Sequence, residues 1–181
     1  MAYTYKTEED IGALMRFLNQ LDKDSYPYKL DPWFDRSNPE PEGFAMYAYD
    51  GDKIIATYAA QKLAYSVYSE AFRDWVTQNN GTNGVITIPD GNQWYSSCQW
   101  VHPDYRGQEL GILMDRKKKD EIWKRGGTVN YANCRDGLKD YHIDRLGYEK
   151  YQHQASVPGG NVGGAGSSED KEYYIVYEVS N

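Results

Sequence analysis

Apolar residues recur every three or four positions at Ile11, Leu14, Phe17, Leu18 and Leu21, which predicts a helix reaching about Asp22 with one buried stripe. Thr7 stands before Glu8, Glu9 and Asp10, so a capping hydroxyl and acids meet the positive end of that helix. Ala2 to Lys6 reads as a first strand. Phe44 to Tyr49 and Lys53 to Tyr65 flank Asp50-Gly51-Asp52, a hairpin signal, because Asp-Gly supplies the positive φ angles of a tight turn. Ser69 to Gln78 reads as a short helix and Val85 to Ile88 as a short strand. Gln93 to Val101 is then a strand, Gly111 to Arg125 a helix stopped by Gly126-Gly127, and Thr128 to Ala132 a strand. Asp136 to Arg145 follows as a helix closed by Gly147, with Tyr148 to Val157 and Glu172 to Val179 as the last strands. Residues 23 to 43 hold four prolines among Tyr26, Tyr28, Trp33 and Phe34; they read as a substrate-facing flap or as a loop that covers the core.

The length of 181 residues fits a single domain spanning 1–181 with a sizeable core. Lys+Arg 20 against Asp+Glu 27 gives a net charge of −7, which argues against a broad grip on nucleic acid or an anionic membrane and suits a cationic or amine-bearing substrate. No apolar run approaches the ~20 residues of a membrane span, and the charged start lacks a signal peptide's layout, so the expected location is the cytoplasm. Cys98 and Cys134 have no CxxC spacing and read as reduced; His102, His142 and His153 are scattered, so no metal site is expected. The 18 tyrosines fall largely on strand-like segments, where an aromatic body packs while its hydroxyl reaches water.

The chemistry concentrates in Val101-His102-Pro103-Asp104-Tyr105-Arg106-Gly107-Gln108-Glu109-Leu110-Gly111, where a strand breaks at proline and a glycine-punctuated loop enters a helix. Such a turn leaves the first N–H groups of the helix unpaired at the positive end of its dipole, a cradle for phosphate. Further along the same helix, Asp115-Arg116-Lys117-Lys118-Lys119-Asp120-Glu121 interrupts the apolar face. Leu110, Leu113, Met114 and Ile122 still share one arc, so the run reads as a solvated face of salt-bridged neighbours, with lysine stems covering apolar surface.

Val101-x-Pro-x-Tyr-Arg-Gly, followed by Leu146-Gly147-Tyr148 after a helix and a strand, resembles the motif pair of the GCN5-related N-acetyltransferase (GNAT) superfamily, and the element order is similar to that family's. The likeness is at motif level over roughly residues 92 to 152 and at the level of element order elsewhere. It implies an α/β (α+β) fold with a mixed, mostly antiparallel central sheet of six to seven strands and flanking helices. It also implies an acetyl-CoA-dependent N-acetyltransferase, passing an acetyl group to a primary amine of a small molecule or protein by direct attack. Coenzyme A would then be held by Val101, Arg106, Gly107, Gln108, Leu110, Gly111 and Asn133, its pantetheine arm running between the strands ending at Val101 and Ala132. No metal is implied.

The sequence departs from that pattern twice. Glu109 stands where the family has a middle glycine in the loop, bringing a Cβ and a negative charge towards a diphosphate. Ile143 stands where the family often places a tyrosine that protonates the departing thiolate. Tyr141 and His142 are the candidate replacements, although ordinary helical spacing puts Tyr141 on the face opposite Ile143. The strand ending at Val101 carries no acid to act as base, which leaves a water chain or a flap residue such as Asp31 or Asp35. These departures favour a competing reading, a noncatalytic GNAT-fold structural or binding protein such as a phage-particle component, located within a virion. A second copy of the chain or an assembly partner is compatible with either reading. A third, a carbohydrate- or peptide-binding β-rich module, requires a row of exposed tyrosines and no gap between the two central strands.

Overall fold

A computed structural model describes residues 3–26, 42–62, 92–135, 138–155 and 172–180. Among the described residues seven strands form one sheet: β1 (Thr4–Glu8), β2 (Gly43–Asp50), β3 (Lys53–Lys62), β4 (Gln93–Val101), β5 (Val129–Arg135), β6 (Lys150–Ala155) and β7 (Glu172–Val179). Their order is β1-β2-β3-β4-β5-β7-β6, and every neighbouring pair is antiparallel except β4 and β5. Helices α1 (Ile11–Asn19) and α2 (Leu110–Lys124) flank the sheet. This is the mixed, mostly antiparallel α/β architecture that the motif pair implies.

The alternation of β2 explains why so much of it is apolar. Ala45 and Tyr47 face one way and pack with Ile11, Leu14, Met15 and Leu18 of α1, while Phe44, Met46 and Ala48 face the other and pack with Leu110, Met114 and Ile122 of α2. Each large apolar side chain buried in this way contributes roughly 1.5–3 kcal/mol. The helix ends also have local causes. Asp10, rather than Thr7, caps α1, its Oδ1 accepting from Ala13 N at 2.7 Å, because β1 continues to Glu8 and carries Thr7 into the sheet. Helix α2 stops where Gly126 adopts φ +81° and Gly127 N donates to Ile122 O at 2.9 Å.

Other expectations also need adjusting. Helix α1 ends at Asn19 rather than near Asp22, and Asp22 Oδ1 instead accepts from Ser25 N in a local turn. The helix expected over 136–145 is a π turn over Tyr141–Arg145, closed by Leu146 N donating to Tyr141 O at 3.2 Å. The strand expected from Tyr148 begins at Lys150. The charge run is a solvated face only in part: Arg116 and Asp120 are exposed, but Asp115 and Lys118 are fully buried. The helix expected over 69–78, the strand over 85–88 and residues 27–41 of the proposed flap, Asp31 and Asp35 included, lie outside the described residues.

The sheet opens between its two parallel strands. Strand β4 pairs with β5 only over Gln93–Ser96 and Val129–Ala132; beyond Ala132, β5 continues to pair with β7 alone. The split coincides with a bulge in β4, where Cys98 takes φ 56° and the register against β3 shifts between Thr57 and Ala59. Thr57 Oγ1 donates to Cys98 O at 3.0 Å and holds the bulge. The last residues of β4 therefore part from β5, leaving a gap whose β4 edge has no strand partner among the described residues.

Candidate functional site

A groove of about 380 Å³ lies at the mouth of that gap, lined by Val101, Tyr105, Arg106, Gly107, Glu109, Leu110, Gly111, Ile112, Tyr141 and Arg145. One wall is the loop from Val101 into α2, and the other is the π turn. From Gly107 to Ile112, no backbone N–H donates to a backbone acceptor among the described residues; the first to do so is Leu113 N, to Glu109 O at 3.0 Å. A run of free donors at the start of a 15-residue helix is an anion cradle by backbone geometry alone.

Five of the predicted cofactor residues, Val101, Arg106, Gly107, Leu110 and Gly111, meet at this groove. Gln108 is not part of its lining: it turns outward, where its Nε2 donates to Asp104 O at 3.3 Å and its Oε1 accepts from Tyr3 at 3.4 Å. Asn133 sits on β5 opposite Ile175, beyond the end of the β4 pairing. Arg106 serves as a brace. Its Nε donates to Val101 O at 3.1 Å and its terminal nitrogen to Ser25 O at 3.1 Å, tying the loop to β4 and to the segment that follows α1. Tyr105, absent from the predicted set, is anchored by donating to Asp50 Oδ2 at 2.7 Å.

The two acid candidates separate. Tyr141 lines the groove, and its hydroxyl lies 3.3 Å from where a Cβ on Gly111 would stand, beside Gln99 and Val101. Tyr141 is in the groove lining and Ile143 is not, although both pack against the cluster that holds Leu146 and Tyr148. Burial raises the Tyr141 pKa, Asp115 adds to the rise and Arg145 opposes it, so the hydroxyl keeps its proton at neutral pH. His142 points inward. It is 5% exposed, donates from Nδ1 to Leu138 O at 2.8 Å, and packs edge-on against Tyr148.

Burial lowers the His142 pKa from the usual 6.5, outweighing the hydrogen bond to Leu138 and the Asp115 carboxylate. As pH falls below 6.5, the unfolded chain binds a proton that the folded one refuses. Folding stability should therefore drop on acidification through that window, by at most ~1.4 kcal/mol per pH unit. Urea midpoints at pH 6.5 and 5.5 check this: His142→Phe should flatten the slope, and an unchanged slope would remove His142 as its cause.

The charge run on α2 joins a buried network with β3, β5 and β7. Lys118 Nζ donates to Asp115 Oδ1 at 2.8 Å and to the Tyr148 hydroxyl at 2.9 Å, and lies 4.4 Å from the Tyr58 ring centre. Lys119 bridges Asp115 Oδ2 and Glu178 Oε2, both at 2.9 Å; the first contact is an ion pair without a directed hydrogen bond. Asn130 donates to Glu178 at 2.9 Å and accepts from Ser96 at 2.5 Å. Burial pushes the Asp115 carboxyl up, but Lys118 and Lys119 pull it below its ordinary value; burial also lowers Lys118 and raises Glu178.

Among the described residues Tyr47, Tyr58, Tyr95 and Tyr148 are buried, and β4 and β5 part beyond Ser96 and Ala132, neither of which favours the tyrosine-platform module. Among the described residues there is no cluster of three or more His, Cys, Asp or Glu that could hold a metal, and no helix is long and apolar enough to cross a membrane.

No protein-family model matches the chain, and no curated protein does so either. Solved structures do. A ribosomal-protein-alanine N-acetyltransferase from Escherichia coli superposes with TM-score 0.61 at 14% identity, covering 98% of this chain and 94% of that one. An agmatine N-acetyltransferase gives TM-score 0.63 at 11% identity, with 99% and 100% covered. The NatC complex bound to Gag peptide and CoA contains a chain with TM-score 0.60 at 11% identity, both chains fully covered. The fold is that of the GNAT N-acetyltransferases.

Proposed function

We propose that this protein is an acetyl-CoA-dependent N-acetyltransferase acting on a primary amine. The observation that carries the reading is the run of unpaired N–H groups from Gly107 to Ile112, opening on a groove with the Tyr141 hydroxyl beside Gly111. The residues fit coenzyme A: its diphosphate would lie on those donors, and the parting of β4 from β5 offers the pantetheine arm a path.

Acetyl-CoA supplies an activated acyl carbon, so an amine nitrogen forms the C–N bond as the C–S bond breaks, and the enzyme needs no covalent adduct. The chain positions the two reactants, and free donors on the unpaired edge of β4 near Val101 polarise the acyl oxygen. Tyr141 gives its proton to the departing sulfur, and the proton lost by the amine leaves through water. Because a thiol leaves tolerably as thiolate near neutral pH, the acid helps without being indispensable.

Calorimetry with coenzyme A tests the cofactor reading, and a thiol-release assay over a panel of amines tests turnover. Tyr141→Phe should lower kcat about 10- to 100-fold while leaving coenzyme A affinity within about twofold. An unchanged kcat would remove Tyr141 as the acid. The noncatalytic alternative is favoured by one observation, the Glu109 carboxylate at the groove mouth. Coenzyme A binding without thiol release from any amine would select it.

A further inference from the structure

Glu109 and Arg145 stand on opposite walls of the groove, one on the loop before α2 and the other at the end of the π turn. Their side chains meet across the mouth, Arg145 donating to Glu109 Oε1 at 3.4 Å, with relative exposures of 57% and 77%. Both chains are free enough to swing away. Glu109 is one of only two non-glycine residues among those described with positive φ, at 60°, and its side chain caps no helix N–H. A β-carbon in that conformation is costly, and the contact with Arg145 is the feature of Glu109 that accompanies the cost.

Arg145 is also the groove's most available cation. The other arginine in the lining, Arg106, already donates to the carbonyls of Val101 and Ser25. Arg145 lines the same groove as the N–H groups of Gly107 to Ile112, and the Glu109 carboxylate already engages its guanidinium.

We infer that Glu109 is an internal competitor for the anion position: it holds Arg145 when the groove is empty, and a diphosphate recruits Arg145 only by displacing it. The inference rests on reading the groove as a coenzyme A site. A diphosphate brings more charge and more acceptor oxygens than a carboxylate, so it wins the exchange, whereas a singly charged phosphodiester has little advantage. Glu109 thereby lowers affinity for every anion and sharpens the preference for polyanionic carriers. It is a specificity-determining residue rather than an eroded glycine.

Titration calorimetry at low salt, with coenzyme A and separately with inorganic pyrophosphate, tests this on the full chain, Glu109→Gln, Arg145→Gln and the double variant. Glu109→Gln keeps the backbone conformation and removes only the charge; Glu109→Gly also relieves the conformational cost and serves as a second variant. Both should tighten pyrophosphate about fivefold. Arg145→Gln should weaken it, and the gain from Glu109→Gln should shrink to less than twofold in the Arg145→Gln background. An equal gain in both backgrounds, or none in either, overturns the inference. If coenzyme A binds and residue 109 is indifferent, the competitor falls and the cofactor reading stands. If pyrophosphate shows the coupled gain while no variant binds coenzyme A, the competitor stands and the cofactor reading falls. Failure of both ligands with every folded variant overturns both.

Discussion

Gly111→Leu should weaken coenzyme A binding at least about 100-fold while leaving the protein folded. Gly111 is the second residue of α2 and has helical φ, so a side chain there brings no backbone penalty. A Cβ would stand 3.3 Å from the Tyr141 hydroxyl and 3.6 Å from both Gln99 Nε2 and Val101 Cγ2. One carbon fits with a shift of a few tenths of an ångström. Leucine's three further carbons have nowhere to go but the space between Val101 and Tyr141, the inner end of the groove. Gly111→Ala separates the two effects: it should raise stability by up to ~1 kcal/mol through helix propensity and weaken binding far less. Calorimetry for affinity and thermal melting for the fold decide the matter. Leucine-variant binding equal to that of the unaltered protein would place the cofactor elsewhere.

The sequence read well wherever local chemistry decides structure. Strand β4 and strand β7 fall on the expected residues because β-branched and aromatic content bounded by turn formers leaves little choice. The loop from Val101 to Gly111 was legible because proline and glycine constrain the backbone directly. The gap between β4 and β5 was legible only through the family likeness, since the bulge that opens it depends on Cys98, whose type gives no hint of a positive φ. Tyr141 is a candidate from the sequence, but its place beside Gly111 follows from a π turn over 141–145, a form that spacing at about 100° per residue does not anticipate. The ion pair of Glu109 with Arg145 joins residues 36 apart in sequence, beyond the reach of any local pattern. Lys118 did carry a signal: it lies four residues from both Met114 and Ile122, on the stripe that begins at Leu110. Its spacing, and not its charge, predicts its burial. The acids that neutralise the lysines come from one turn back along α2, at Asp115, and from β7, at Glu178, and the second partner is visible only once the sheet is assembled.

Removing one member of this buried network should cost more stability than any other single substitution considered. Asp115→Leu would leave the Lys118 ammonium fully buried with the Tyr148 hydroxyl as its remaining hydrogen-bond partner, and Lys118→Met would leave Asp115 with Lys119 as its remaining cation. Each should destabilise the fold by ~3–5 kcal/mol, the usual cost of stranding a buried charge. For a chain of this length, that lowers Tm by roughly 10 °C or more. The double variant, Asp115→Leu with Lys118→Met, removes both charges together and replaces them with apolar groups on a stripe that is otherwise apolar. It should therefore recover most of the loss, leaving the Lys119–Glu178 pair intact at 2.9 Å. The network spans Ser96 on β4, Asn130 on β5 and Glu178 on β7, at the level where β4 and β5 are still paired. Its loss should thus loosen the point from which the two strands diverge and weaken coenzyme A binding as well, even in variants that remain folded at 20 °C. Additive losses in the double variant, or single variants that melt within 2 °C of the parent, would show that the charges do not depend on one another and that apolar packing alone holds this part of the sheet.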